Sequence, residues 1–145
     1  MSVSLDGPAG ASEGGPLDSV AIIRKVFAAF ARRDLAAMQE LLDPDVQFMA
    51  PTAEMAHGGE PYRGLAGMQE YFADVERVWD ELRLTPESFR QEGDVVLVTG
   101  RVWGLGGGQV VDSSAGWHWR VRAGRVVYVR AFRSAPQAER ALTDL

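Results

Sequence analysis

The sequence predicts an α+β fold, with helices gathered early and an antiparallel sheet late. Three observations carry this. Apolar residues recur at helical spacing up to about Leu82 and alternate with polar ones after it. The strand-like stretches beyond Leu82 are joined by short turns, as in a meander. At 145 residues the chain is sized for one domain, expected over 18–145.

The elements follow in order. Residues 1–17 hold four Gly, two Pro and three Ser with little to bury, so a disordered leader is expected. Asp18 or Ser19 caps a first helix, whose apolar face is Ile22, Ile23, Val26, Phe27 and Phe30. Arg32 and Arg33 suit its negative end. Asp34 caps a short second helix carrying Leu35, Met38, Leu41 and Leu42. Pro44 stops it, because proline disfavours α geometry in the residue before it. Val46 to Ala50 reads as a short strand, and the 14 residues from Pro51 to Gly64 as a long loop. Leu65, Met68, Phe72, Val75, Trp79 and Leu82 step by three and four, which predicts one long helix. Leu82 to Arg90 is a strand that Pro86 marks as bulged or at an edge. Val95–Trp103, Val110–Arg122 and Arg125–Phe132 are strands. A glycine-rich connection at 104–108 and a tight turn at Ala123-Gly124 join them. The last ten residues read as a short helix or a frayed end.

Composition narrows the chemistry. With no Cys there are no disulfides, thiol nucleophiles or Cys-ligated zinc. The two histidines, His57 and His118, are too far apart for a zinc-binding H-E-x-x-H helix, so no metal and no cofactor is expected. Fourteen Arg and one Lys against 20 acids leave a net charge of −5, which argues against nucleic acid as a partner. No apolar run is long enough for a membrane helix, and the start lacks the profile of a signal peptide, so a cytoplasmic protein is expected. The 104–108 glycines lack the Gly-Lys-Ser/Thr end of a phosphate loop.

Four stretches together carry a resemblance: F-A-A-F-A-R-R-D-L, L-L-D-P-D-V-Q-F, Y-R-G before a helix, and W-R-V-R-A-G-R-V-V. From about Ser19 to Phe132 the chain resembles the SnoaL-like branch of the nuclear transport factor 2-like superfamily. The resemblance implies a strongly curved antiparallel sheet wrapped around three helices, a cone-shaped α+β barrel. It also implies a hydrophobic pocket between sheet and helices, and a homodimer. Members of this fold include isomerases, polyketide cyclases, dehydratases, hydrolases and non-catalytic proteins. The first-helix tyrosine of ketosteroid isomerases falls on Val26. Their aspartate base falls on Ala50, and their second acid near Trp117. None of these can donate to an enolate or take a proton as those groups do.

Strand parity sorts the remaining candidates. Ser113, Ala115, Trp117, Trp119 and Val121 share an apolar face, expected to be inward; Asp112, Ser114, Gly116, His118, Arg120 and Arg122 share the other. Asp112 reaches the pocket only if a bulge near Ser113-Ser114 shifts the phase. In that arrangement it is the candidate base and His57, on the long loop, the candidate acid. Trp79, Trp117 and Trp119, with Phe30 and Phe48, line either a plain core or an aromatic ligand site. Met55, His57 and Tyr62 are placed to close over the mouth. The Val95–Trp103 strand is apolar on both faces, so parity does not orient Arg101. The second apolar face suggests a homodimer partner on the outer sheet face. Three functions stay open: acid–base catalysis on a small hydrophobic molecule, binding of such a molecule, and protein interaction.

Overall fold

The computed structural model describes residues 16–144. Residues 1–15 of the expected leader lie outside them; Pro16 and Leu17 belong to the first helix. In chain order the elements are α1 (Pro16–Ala31), α2 (Leu35–Leu41), β1 (Leu42–Met49), α3 (Pro51–Ala56), β2 (Tyr62–Arg63) and α4 (Gly64–Val78). Then come β3 (Glu81–Glu92), β4 (Val95–Gly106), β5 (Gln109–Arg122), β6 (Arg125–Phe132) and α5 (Ala135–Ala141), with a closing 3₁₀ turn (Leu142–Asp144). The fold is α+β, as the sequence predicts.

The strands form one curved, open sheet in the order β2-β1-β6-β5-β4-β3. Every pairing is antiparallel except β1 with β6, which is parallel. Helices α1 and α4 pack into its concavity, with Ile23, Val26, Phe27, Met68, Tyr71 and Val75 meeting Trp117 and Trp119 in one core.

Local chemistry explains most boundaries. The Asp34 carboxylate accepts from the Ala37 N–H and starts α2. Arg33 ends α1 with a positive φ, and its guanidinium donates to the Phe30 and Leu82 carbonyls. Ala123 and Gly124 both take positive φ, the backbone of a two-residue hairpin turn. Pro86 sits beside a register shift on β3, an edge strand.

Several boundaries differ from the sequence reading: α2 stops at Leu41, and Leu42 and Pro44 already belong to β1. The Pro51–Gly64 loop contains α3, opened by Pro51 at its first turn, and the two-residue β2. Helix α4 ends at Val78, and Leu82 belongs to β3; the stripe from Leu65 to Leu82 ran across a break because β3 continues the apolar register. Its most buried face is Met68, Tyr71 and Val75 rather than the Leu65 and Phe72 side. Strand β4 runs on through Gly104 to Gly106. There the glycine serves close packing: a Cβ on Gly104 would lie 2.7 Å from the Trp79 ring.

The pairing of Val96 with Trp119 and Val98 with Trp117 puts these four side chains on the concave face. Leu97 and Arg101 therefore face outward. On that side Leu97, Phe132 and Ala138 form a second small cluster beneath α5. His118 is also covered, 2% exposed, with its Nε2 bonded to the Ala138 carbonyl and its ring 4.5 Å from that of Phe132. A methyl on Gly116 would collide with the Ala138 side chain. Part of the second apolar face is thus covered by the chain's own last helix.

Candidate functional site

Two cavities lie on the concave side. The deeper is a void of about 40 Å³ among Val26, Phe27, Phe30, Met38, Trp119 and neighbours. The wider is a chamber of about 230 Å³ toward the mouth. One water needs roughly 10–15 Å³ by the same measure, so the chamber has room for much more. Phe48, Tyr71, Leu84 and Trp117 line both and form the partition between them.

Each wall of the chamber has a local cause. Ala50, Pro51, Thr52 and Met55 come from the β1–α3 corner, which proline at the helix start fixes. The Trp79 ring enters from the end of α4 over Gly104, and its Nε1 donates to the Thr52 hydroxyl at 3.3 Å. Val102, Val111, Ser113, Trp117 and Ala131 are inward positions of β4, β5 and β6. The Ser113 hydroxyl is occupied by the Ser114 carbonyl at 3.1 Å. Arg133 sits at the rim in an ion pair with Glu54. Met55 and Val111 are 59% and 39% exposed, so two of the three large apolar side chains standing in solvent among the described residues border this opening.

No Asp, Glu or His lines either cavity. The one ionisable group in the partition is Tyr71. Burial pushes its hydroxyl well above the usual tyrosine value, with the Arg33 charge working weakly the other way. Tyr71 is therefore a neutral donor, and it makes no hydrogen bond among the described residues.

The candidates divide. Val26, Phe30 and Trp119 line the inner void; Ala50, Met55 and Trp79 line the chamber; Phe48 and Trp117 line both. The three positions carried over from the isomerases thus all stand on cavity walls, with apolar side chains on each. Tyr62 lines neither of these two cavities. It is 1% exposed and donates to the Asp74 carboxylate at 2.8 Å, where Arg77 also binds. Burial and the Asp74 bond raise the Tyr62 hydroxyl far above its ordinary value, keeping it a donor.

His57 is likewise outside the chamber. Its ring stacks on Tyr62 at 4.2 Å, its Nδ1 lies 2.9 Å from the Glu60 carbonyl, and its Nε2 lies 3.5 Å from Glu70. It ties the turn after α3 to α4. Asp112 faces outward and pairs with Arg101 at 2.9 Å. The β4–β5 register is unbroken from Gln109 to Trp119, and the shift in β5 falls between Arg120 and Val121, too late to turn Asp112 inward. The acid and base candidates are therefore apart from each other and from the cavities.

Sequence reasoning missed Tyr71, Leu84 and Ser113 as wall residues. Parity alone turns Ser113 inward, and the chamber is what it meets there. Tyr71 sits at i+3 from Met68 and i−4 from Val75, so a wider helical stripe would have included it. Among the described residues, no group of three or more His, Cys, Asp or Glu stands together as a metal would need. No described helix is long and apolar enough to cross a membrane.

Solved structures of the same architecture are numerous. An NTF2-like protein of unknown function from Burkholderia pseudomallei K96243 superposes with a TM-score of 0.73 at 24% identity, over 87% of this chain and 98% of that one. TerC, co-crystallised with polyporic acid, gives 0.72 at 23% identity over 87% and 98%. A putative SnoaL-like polyketide cyclase from Jannaschia sp. CCS1 gives 0.67 at 18% identity over 90% and 94%. At these identities the likeness is one of fold. Comparison with curated proteins finds no match. The family model of the SnoaL-like domain matches residues 23–129, most of the sheet and most of the helices that fill it. The chain belongs to the SnoaL-like domain family.

Proposed function

We propose that this protein holds a small apolar, aromatic molecule in the chamber between the Trp79 and Trp117 rings. The observation that carries this is the chamber itself: a roughly 230 Å³ space with aromatic walls and an opening bordered by exposed Met55 and Val111. Exposed apolar side chains at a concave mouth are what a hydrophobic guest would cover. Support also comes from relatives of the same fold, one crystallised with polyporic acid and one described as a putative polyketide cyclase.

Binding is favoured over acid–base catalysis because the wall holds no carboxylate and no imidazole. Asp112 and His57, each committed elsewhere, supply neither acid nor base to a guest. The outer sheet face beyond α5 remains the seat proposed for a second copy of the chain, and a monomer by light scattering removes that part.

The test is equilibrium dialysis against fluorene, a rigid aromatic hydrocarbon. Wild type is expected to retain it. Ala131→Trp, which fills the chamber from β6, is expected to lose it while keeping the same circular dichroism. Equal retention by both proteins places the guest elsewhere and defeats the reading.

A further inference from the structure

The cavity walls are apolar but not without polar atoms, and those atoms share a character. The Tyr71 hydroxyl in the partition makes no hydrogen bond among the described residues, although the residue is only 5% exposed. The Trp119 Nε1–H, on a ring lining the inner void, is buried without a partner. Most buried polar groups in folded proteins are paired, and an unpaired one such as the Trp119 Nε1–H costs free energy; the Tyr71 hydroxyl is not itself fully buried. Both can donate: the indole N–H does nothing else, and the tyrosine hydroxyl, protonated at neutral pH, has a proton to give. Of the other polar side chains of the chamber wall, Ser113 donates to the Ser114 carbonyl, Thr52 accepts from Trp79, and Arg133 pairs with Glu54 at the rim.

We infer that the guest presents a hydrogen-bond acceptor, an aromatic carbonyl oxygen, to the Tyr71 hydroxyl at the partition between the two cavities. This rests on the proposed binding of an aromatic molecule and adds what that molecule must carry. Tyr71 is a specificity-determining residue in this role. It favours ketones and quinones over hydrocarbons of equal shape. The flat walls of Phe48 and Trp117 leave a ring system free to place its oxygen at that point. Trp119 waits beyond it with a second donor for a guest, or its substituent, that reaches the void.

Fluorene and 9-fluorenone share one ring frame and differ by a carbonyl, so they isolate the acceptor. Wild type is expected to bind 9-fluorenone about five- to tenfold more tightly in equilibrium dialysis, the worth of one added hydrogen bond. Tyr71→Phe keeps the ring and removes the hydroxyl. It is expected to bind fluorene as wild type does and to lose the preference. The carbonyl stretch of bound 9-fluorenone is expected at lower wavenumber in wild type than in Tyr71→Phe. Equal binding of the two compounds by wild type, or a preference that survives in Tyr71→Phe, overturns the inference while leaving the aromatic site intact. Retention of neither compound overturns the binding reading and the inference with it.

Discussion

On the convex side of β4 and β5, α5 lies so close that a single methyl on Gly116 would strike Ala138. On the concave side of the same strands, Val102, Ser113 and Trp117 stand around a chamber of about 230 Å³. A seven-residue helix suffices to close the first surface. Two long helices and most of the aromatic residues leave the second hollow. The difference is therefore one of shape and not of apolar supply. Rings of the size of Trp79 and Trp117 are stiff and hold walls apart, whereas Ala138 over Gly116 lets backbones touch. A core that tolerates such a space gives up packing energy that filled cores keep. The binding proposed above would offset that loss.

Substitutions on the two sides should behave differently. The largest effect is expected from Trp117→Ala, which removes the partition and its edge contact with Phe27, 5.0 Å between rings. Urea denaturation should show a loss of about 3–5 kcal/mol. A loss under about 1 kcal/mol would mean that Trp117 packs against little, and the wall would not be a wall. Next is Gly116→Val on the convex side. Forcing α5 outward should cost about 1–3 kcal/mol by the same method, with fluorene retention unchanged. If fluorene retention falls along with stability, the two faces are not independent.

A smaller effect concerns pH. Burial lowers the proton affinity of His118 in the folded state, more than its bond to the Ala138 carbonyl raises it. Its folded value lies below that of the unfolded chain, about 6.5. Between the two values the unfolded chain binds more protons, so stability rises with pH in that window. The contribution of neutral His118 is complete above about pH 6.5 and is lost as pH falls through the folded value. His118→Gln should flatten the decline in urea midpoint between pH 7.5 and 5.5. Parallel declines in both proteins would mean that α5 does not read the histidine's charge. The smallest effect is expected from Asp112→Asn, which breaks an exposed pair with Arg101. Stability should move by less than about 1 kcal/mol, and fluorene retention should not move. A large loss of retention would return Asp112 to the site.

The contrast between the faces also marks what could be read from the sequence. Alternation along β5 placed Trp117 and Trp119 inward and His118 outward, because a continuous register carries parity from one end to the other. The turn at Ala123-Gly124, the Asp34 cap and the irregularity at Pro86 were legible for a similar reason: each depends on its own few residues. The resemblance supplied the curvature and pointed to Val26, Ala50 and Trp117, all of which reach cavity walls. What was hidden depends on contacts distant in sequence. Whether β4 turns Leu97 or Val98 inward is decided by its neighbours, and no local signal in an all-apolar strand says which. His118 looked solvent-facing because α5, twenty residues on, is what covers it. Tyr62 looked like a lid residue because its partner, Asp74, lies on the next helix.

The most direct test is a crystal of the protein with 2-bromofluorenone, collected at the bromine edge. The expected result is one anomalous peak inside the chamber, with the ring system between Trp79 and Trp117 and its oxygen toward Tyr71. A chamber with no ring density at saturating compound, or a bromine peak only outside the chamber, would contradict the account.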